Sequence, residues 1–181
     1  MTTEANKASA HRFFDEVANR GNLALIDELL APDFVNHALP PGVPPNREGT
    51  KTFDAMLRGA FPDLHVTIDD VIAEGDKVVL RTTAHGTMKG EFAGMPPSGK
   101  SATWAAVYTL RFANGEIAEY WGVNDQLSML QQLGFAEAPG QPAGAARQAK
   151  GSATQGTTSE ESRRSVNPHS GSGDRSASRF R

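Results

Sequence analysis

Thr103-Trp-Ala-Ala-Val-Tyr-Thr-Leu-Arg-Phe-Ala-Asn-Gly-Glu-Ile-Ala-Glu-Tyr-Trp-Gly-Val-Asn124 decides the fold class. Trp104, Ala106, Tyr108, Leu110 and Phe112 alternate with Thr103, Ala105, Val107, Thr109 and Arg111. A period of two is the signature of a strand with one buried face. Asn114-Gly115 is the turn dipeptide that joins two antiparallel strands. Beyond it, Ile117, Trp121 and Val123 alternate with Tyr120, Gly122 and Asn124, so the stretch reads as a hairpin.

Working outward, two more strands precede the hairpin. Leu64, Val66 and Ile68 alternate with His65, Thr67 and Asp69. Val78, Leu80, Thr82 and Ala84 alternate with Val79, Arg81, Thr83 and His85, with Asp76 at the turn between the two. Before residue 62 the period is helical. Ala10, Phe13, Phe14 and Val17 mark a first helix ended by Gly21. Asn22 is expected to cap a second, with Leu23, Ile26, Leu29 and Leu30 on its apolar face and Pro32 as its stop. Asp33 to His37 is short and extended, and Pro40, Pro41, Pro44 and Pro45 make the following loop non-helical. A third helix runs from Glu48 to Phe61, with Phe53, Met56, Leu57 and Ala60 on one side. A last short helix, Gln126 to Leu133, ends at Gly134. Helices first and hairpin-linked strands after give an α+β fold, with helices packed on an antiparallel sheet. If that sheet curves strongly, it makes a cone-shaped α+β barrel whose apolar interior suits a small molecule.

Composition divides the chain of 181 residues in two. Its hydrophobic fraction is 38% with glycine left out, and the apolar residues thin out at the C-terminus. Residues 136–181 are rich in Ser, Ala and Gly, and their only large apolar side chains are Val166 and Phe180. Such a segment cannot offset the entropy of ordering itself, so 136–181 is read as a disordered tail and 1–135 as the single folded domain. The tail is net basic and the body net acidic. An acidic body repels a phosphate backbone, so no nucleic-acid role is expected. The sequence has no stretch apolar enough for a membrane span and no secretory leader in its polar first ten residues, so a cytoplasmic protein is expected.

The absence of cysteine excludes a disulfide framework, a cysteine-ligated metal and a cysteine nucleophile. The five histidines, at 11, 37, 65, 85 and 169, form no i, i+4 pair, so no metal site is expected. Gly86, Gly90 and Gly94 match neither nucleotide-binding glycine pattern, and there is no G-x-S-x-G elbow.

Three stretches taken together carry a family resemblance. Gly90-Glu-Phe-Ala-Gly-Met-Pro-Pro-Ser-Gly-Lys100 resembles the G-x-F-x-G-x-P-P-T-G-K loop of the SnoaL-like polyketide cyclases, also called ester cyclases. Phe112 to Trp121 resembles their D-G-K-I-x-E-x-W hairpin, and Asp125-Gln-Leu-Ser-Met-Leu-Gln-Gln-Leu-Gly134 their terminal helix. Arg12-Phe-Phe-Asp-Glu-Val17 and Leu29-Leu-Ala-Pro-Asp-Phe-Val-Asn-His37 fit the same pattern. The resemblance spans roughly residues 5–135. It implies the nuclear transport factor 2-like cone fold, a pocket that needs neither cofactor nor metal, a homodimer, and aldol-type ring closure on a carbonyl substrate. Two positions depart from the pattern: Tyr120 stands where the family usually has His, and Asn124 where it often has an aromatic residue.

The resemblance makes Asp125 the candidate catalytic acid/base. A carboxyl can remove a proton beside a carbonyl and return it to the new alkoxide if burial, here against Trp104 and Trp121, raises its pKa. The competing role is structural, because an aspartate that opens a helix is also an N-cap, which stabilises the charged form. Asn124 could cap instead and free Asp125. His37, near the expected pocket mouth, and His85, on the polar side of its strand, are candidate substrate-binding groups. Trp104, Tyr108 and Trp121 are expected in the core or the pocket wall, and Phe92 and Met95 over the pocket mouth or against another subunit. Three functions compete: acid/base cyclisation or isomerisation of a small hydrophobic molecule, non-catalytic binding of such a molecule, and protein adaptor work through the open sheet face.

Overall fold

The computed structural model describes residues 2–137, and the tail expected beyond lies almost wholly outside them. Thr2 opens the first helix, α1 (Thr3–Arg12), by accepting a hydrogen bond from the Ala5 amide at 3.3 Å. The helix then widens into a π-helical segment, Phe13–Asn19, where Phe13, Phe14 and Val17 are buried. Gly21, at φ +72°, takes the left-handed conformation that ends it. A 3-10 turn, Leu23–Leu25, leads into the short α2 (Ile26–Leu29).

Two expectations are corrected here. The Asn22 side chain makes no capping bond, and the helix does not run on to Pro32. Instead β1 (Leu30–Asn36) begins at Leu30 and contains Pro32. Proline is tolerated because β1 is an edge strand whose ladder is interrupted between Leu30 and Val35.

α3 (Arg47–Ala60) is capped by Asn46, whose side-chain oxygen accepts from the Gly49 amide at 3.0 Å. Gly49 is required there: a Cβ would lie 1.8 Å from the Pro44 carbonyl oxygen, so only glycine lets the proline loop cross the helix. Four long strands follow: β2 (His65–Glu74), β3 (Lys77–Thr87), β4 (Ser101–Ala113) and β5 (Glu116–Asn124). α4 (Gln126–Leu133) closes the domain and ends on Gly134 at φ +86°.

The fold is α+β, as the segregation of elements implies. The sheet has the order β1-β5-β4-β3-β2. β2 to β5 form an antiparallel meander, but β1 pairs parallel with β5, so the sheet is mixed rather than wholly antiparallel. Asn114 and Gly115, at φ +51° and +92°, form the hairpin turn that the dipeptide signals.

The inner sheet face carries Val78, Leu80, Thr82 and Ala84 of β3 and Trp104, Ala106 and Leu110 of β4, all buried. They pack against Phe13, Phe14, Val17, Ile26 and Phe61 from the helical layer. A β-bulge changes the parity of β5. Arg111 pairs with Glu119 but Phe112 with Ile117, so Ala118 is an extra residue. Ile117 therefore points inward, and after the bulge the inward residues are Tyr120 and Gly122, while Trp121 turns to the outer face.

Candidate active site

Between the helical layer and the inner sheet face lies a cavity of about 690 Å³. That volume falls in the range of small-molecule sites, roughly 300–1,000 Å³. Its walls are mostly apolar, with Phe14, Leu57, Val66, Phe92, Trp104 and Met129 among them. Polar groups enter from α3, β4 and β5.

α3 presents Thr50, Phe53, Asp54, Leu57 and Arg58 to the cavity, a stripe with helical spacing. Thr50 is already satisfied: its hydroxyl donates to the Asn46 carbonyl at 3.0 Å and accepts from Asn36 Nδ2 at 3.1 Å. Asp54 has neither an ion pair nor a hydrogen bond among the described residues. Arg58, one turn along, spends its guanidinium on the carbonyls of Ala18 and Asn19, at 2.8 and 3.0 Å. Burial pushes the Asp54 carboxyl from 3.8 up to about 7, and the Arg58 charge pulls it back only in part. The carboxyl opens onto the cavity but is surrounded by protein on its other sides, so desolvation dominates. A carboxyl poised near neutrality inside an apolar cleft can both take up and give back a proton.

From the sheet, β4 supplies Tyr108 and β5 supplies Tyr120, with ring centroids 5.3 Å apart. Tyr108 donates its hydroxyl proton to Asn124 Oδ1 at 2.9 Å. Both positions that depart from the family pattern, Tyr120 and Asn124, thus line the cavity.

The structure separates the residues singled out by sequence. Phe92, Trp104 and Tyr108 line the cavity. Asp125, His37, His85, Trp121 and Met95 do not. Asp125 is exposed, and its carboxylate accepts from the Ser128 amide at 3.0 Å as the N-cap of α4. The capping role is thus the one the geometry gives it, while Asn124 holds Tyr108 instead. His37 stacks on Trp121 on the outer sheet face, with centroids 4.8 Å apart and planes 6° from parallel. Its Nε2 meets Glu119 Oε2 at 3.0 Å, and Glu119 also pairs with Arg111 at 2.6 Å. The His37 hydrogen bond, helped by Arg111, holds the Glu119 carboxyl below its usual value. His85 is exposed on the same outer face, 3.0 Å from the Thr103 hydroxyl. Met95 packs against the core behind Phe92, with which it forms a short β-bridge.

Asp54 is the residue that sequence reasoning missed. The available signal was a lone charge inside the apolar stripe of α3, at helical spacing from Thr50 and Leu57. Among the described residues, no group of three or more His, Cys, Asp or Glu could hold a metal ion. Nor is any helix there long and apolar enough to cross a membrane.

The sequence profile of the SnoaL-like polyketide cyclases matches residues 8–133. The chain belongs to that family. Solved relatives agree in fold. TsrD from Streptomyces laurentii is 26% identical, with a TM-score of 0.69 over 75% of this chain and 99% of that one. AclR from Streptomyces galilaeus, a proposed hydroxylase, is 29% identical, with a TM-score of 0.67 over 75% and 100%. IdmH from Streptomyces antibioticus, a proposed polyketide cyclase, is 34% identical, with a TM-score of 0.63 over 71% and 97%. No curated protein matches the sequence. Relatives of one cone fold are thus proposed to catalyse different reactions, so function must be argued from the site.

Proposed function

We propose that this SnoaL-like protein is a cofactor-independent acid/base enzyme that cyclises or isomerises a small hydrophobic carbonyl compound, with Asp54 as the group that moves the proton. The observation that carries this reading is the unpaired Asp54 carboxyl, raised to about 7 inside an apolar cavity of about 690 Å³. An isolated carboxylate in such a place costs stability, so its presence calls for a use. Ring closure needs a base to form an enolate and an acid to protonate the alkoxide that results. One carboxyl near neutrality serves both steps in turn.

Solvent deuterium exchange tests the base directly. With 2-tetralone as the carbonyl probe, the wild type should speed exchange of the protons beside the carbonyl, with a rate that rises through about pH 7 as Asp54 ionises. Asp54→Asn should abolish the enhancement. Exchange that persists unchanged in Asp54→Asn overturns the assignment. Binding of the probe with no exchange in the wild type points instead to a non-catalytic binding module.

The outer sheet face supports self-association. Val107 and Val123, paired across β4 and β5, are exposed there at 45% and 77%, an apolar patch within an otherwise polar face that a second copy can cover. A homodimer through this face is the assembly we assign. Light scattering should give twice the chain mass, and a mass equal to one chain overturns it.

A further inference from the structure

Asp54 and Tyr120 line the same cavity, one from α3 and the other from β5. Both tyrosines feel the Asp54 charge, yet no hydrogen bond joins them to it. Tyr120 also differs from Tyr108 in what its hydroxyl does. The Tyr108 proton is committed to Asn124. The Tyr120 hydroxyl donates toward the Tyr108 oxygen and has no other partner among the described residues. The cavity therefore holds an acceptor without a donor on the helix and, on the sheet, a hydroxyl chain from Tyr120 through Tyr108 to Asn124 whose first member a substrate oxygen can engage.

The surroundings fix Tyr120 in this role. Its ring packs against Tyr108 and, at 6.1 Å between centroids, against Phe13. Tyr108 can lie where it does only because residue 122 is glycine: a Cβ there would sit 2.7 Å from Tyr108 Cδ1. Burial raises Tyr108 to about 12 and Tyr120 well above the ordinary phenol value, so both remain protonated while Asp54 titrates.

We propose that Tyr120 is a catalytic residue whose phenol O–H donates a hydrogen bond to the substrate carbonyl oxygen as Asp54 removes the proton from the adjacent carbon. This rests on the assignment of Asp54 as the base. In the step, the C–H bond breaks and its proton bonds to the Asp54 carboxylate. The electron pair forms the carbon–carbon double bond of an enolate, and the carbonyl π pair moves to the oxygen, where Tyr120 donates. In a cyclisation, the enolate carbon then attacks a second carbonyl of the same molecule, and the resulting alkoxide takes the proton back from Asp54. Tyr120 keeps its own proton throughout. A hydrogen bond that strengthens as charge develops on its acceptor lowers the barrier, because it favours the transition state over the ground state.

The test uses 2-naphthol, whose anion places charge on an oxygen attached to a planar carbon, as an enolate does. Its neutral and anionic forms are told apart by fluorescence. The Asp54→Asn protein removes the carboxylate that would repel the anion, and should bind naphtholate in preference to naphthol. Adding Tyr120→Phe, which keeps the ring and deletes the hydroxyl, should weaken naphtholate binding about tenfold or more, since a hydrogen bond to a charged group is worth roughly 1.5–3 kcal/mol. A change of less than twofold overturns the proposal.

A second measurement does not depend on deleting a group. The chain has two tyrosines, so growth on 3-fluorotyrosine labels only positions 108 and 120. The more acidic fluorophenol is a stronger donor, and naphtholate should bind severalfold tighter, also when Tyr108→Phe leaves Tyr120 as the only labelled ring. Unchanged or weaker binding overturns the donor role. The two assignments fail separately. If the Asp54 carboxyl titrates at its ordinary value by carbon NMR while Tyr120→Phe still costs tenfold, the base reading falls. If Asp54 titrates near neutrality and Tyr120→Phe is silent, only the donor falls.

Discussion

Asp54→Asn should make the protein more stable at pH 8 and flatten its stability between pH 4 and 7. In the unfolded chain the carboxyl ionises at 3.8, whereas burial holds it to about 7 in the fold. Between those values the native state binds more protons than the unfolded state, so wild-type stability falls as pH rises. The contribution is fully present below the unfolded value and lost once pH passes the folded one. Each pH unit of difference is worth about 1.4 kcal/mol, which gives about 4 kcal/mol over the whole interval. The side chain is only half-buried and opens onto the cavity, so solvent screening should leave roughly 2–3 kcal/mol of this. A carboxamide never ionises and escapes the penalty. For a domain of this size the gain at pH 8 corresponds to roughly 6–12 °C in melting temperature. Thermal and urea denaturation of both proteins from pH 4 to 8.5 reads the effect. If the two stability curves run parallel, Asp54 is not held neutral by burial and the central argument about the site fails.

Three further outcomes are expected. Asp125→Ala removes the α4 cap and should cost about 0.5–2 kcal/mol in urea unfolding, while 2-naphthol affinity stays within twofold. Gly122→Ala forces Tyr108 off β5 and away from Asn124, and should cost about 1–3 kcal/mol and weaken 2-naphthol binding, both read by titration and melting. His37→Ala deletes the main group that holds Glu119 low, so carbon NMR should show the Glu119 carboxyl rising toward its ordinary 4.5. Because that carboxyl is depressed in the fold, the support it gives is present above the ordinary carboxylate range and is lost as the protein is acidified.

The layered fold was legible because its signals are local. Alternation at Val78, Leu80, Thr82 and Ala84 and the turn at Asn114-Gly115 each report backbone geometry over a few residues. The parity of β5 was not legible, since a single extra residue at Ala118 exchanges the two faces. Nothing in the alternation of Ile117, Trp121 and Val123 announces a bulge, and the grouping of Trp121 with the core followed from assuming none. The parallel pairing of β1 on β5 was hidden for a different reason, because it joins distant parts of the chain. Asp125 and Asp54 show the same limit at the site. A motif match marks a position without saying which way its side chain points, and Asp125 points to its own helix. Asp54 needed the fold to reveal that its helix face meets a cavity rather than water.

The pairing of β1 with β5 has a kinetic consequence. β2 to β5 can form by successive neighbouring hairpins, which close short loops. β1 has to wait, because Leu30 and Asn36 find their partners at Ile117 and Tyr120, near the end of the domain. Closing so long a loop is entropically slow. During synthesis the last inward-facing strand must leave the ribosome before the first strand has anything to pair with. The segment that follows β1, Ala38 to Pro41, borders the cavity. Its mouth is therefore shaped at the end of folding, and agents that slow β1 docking should leave a meander with its binding surface open to other chains.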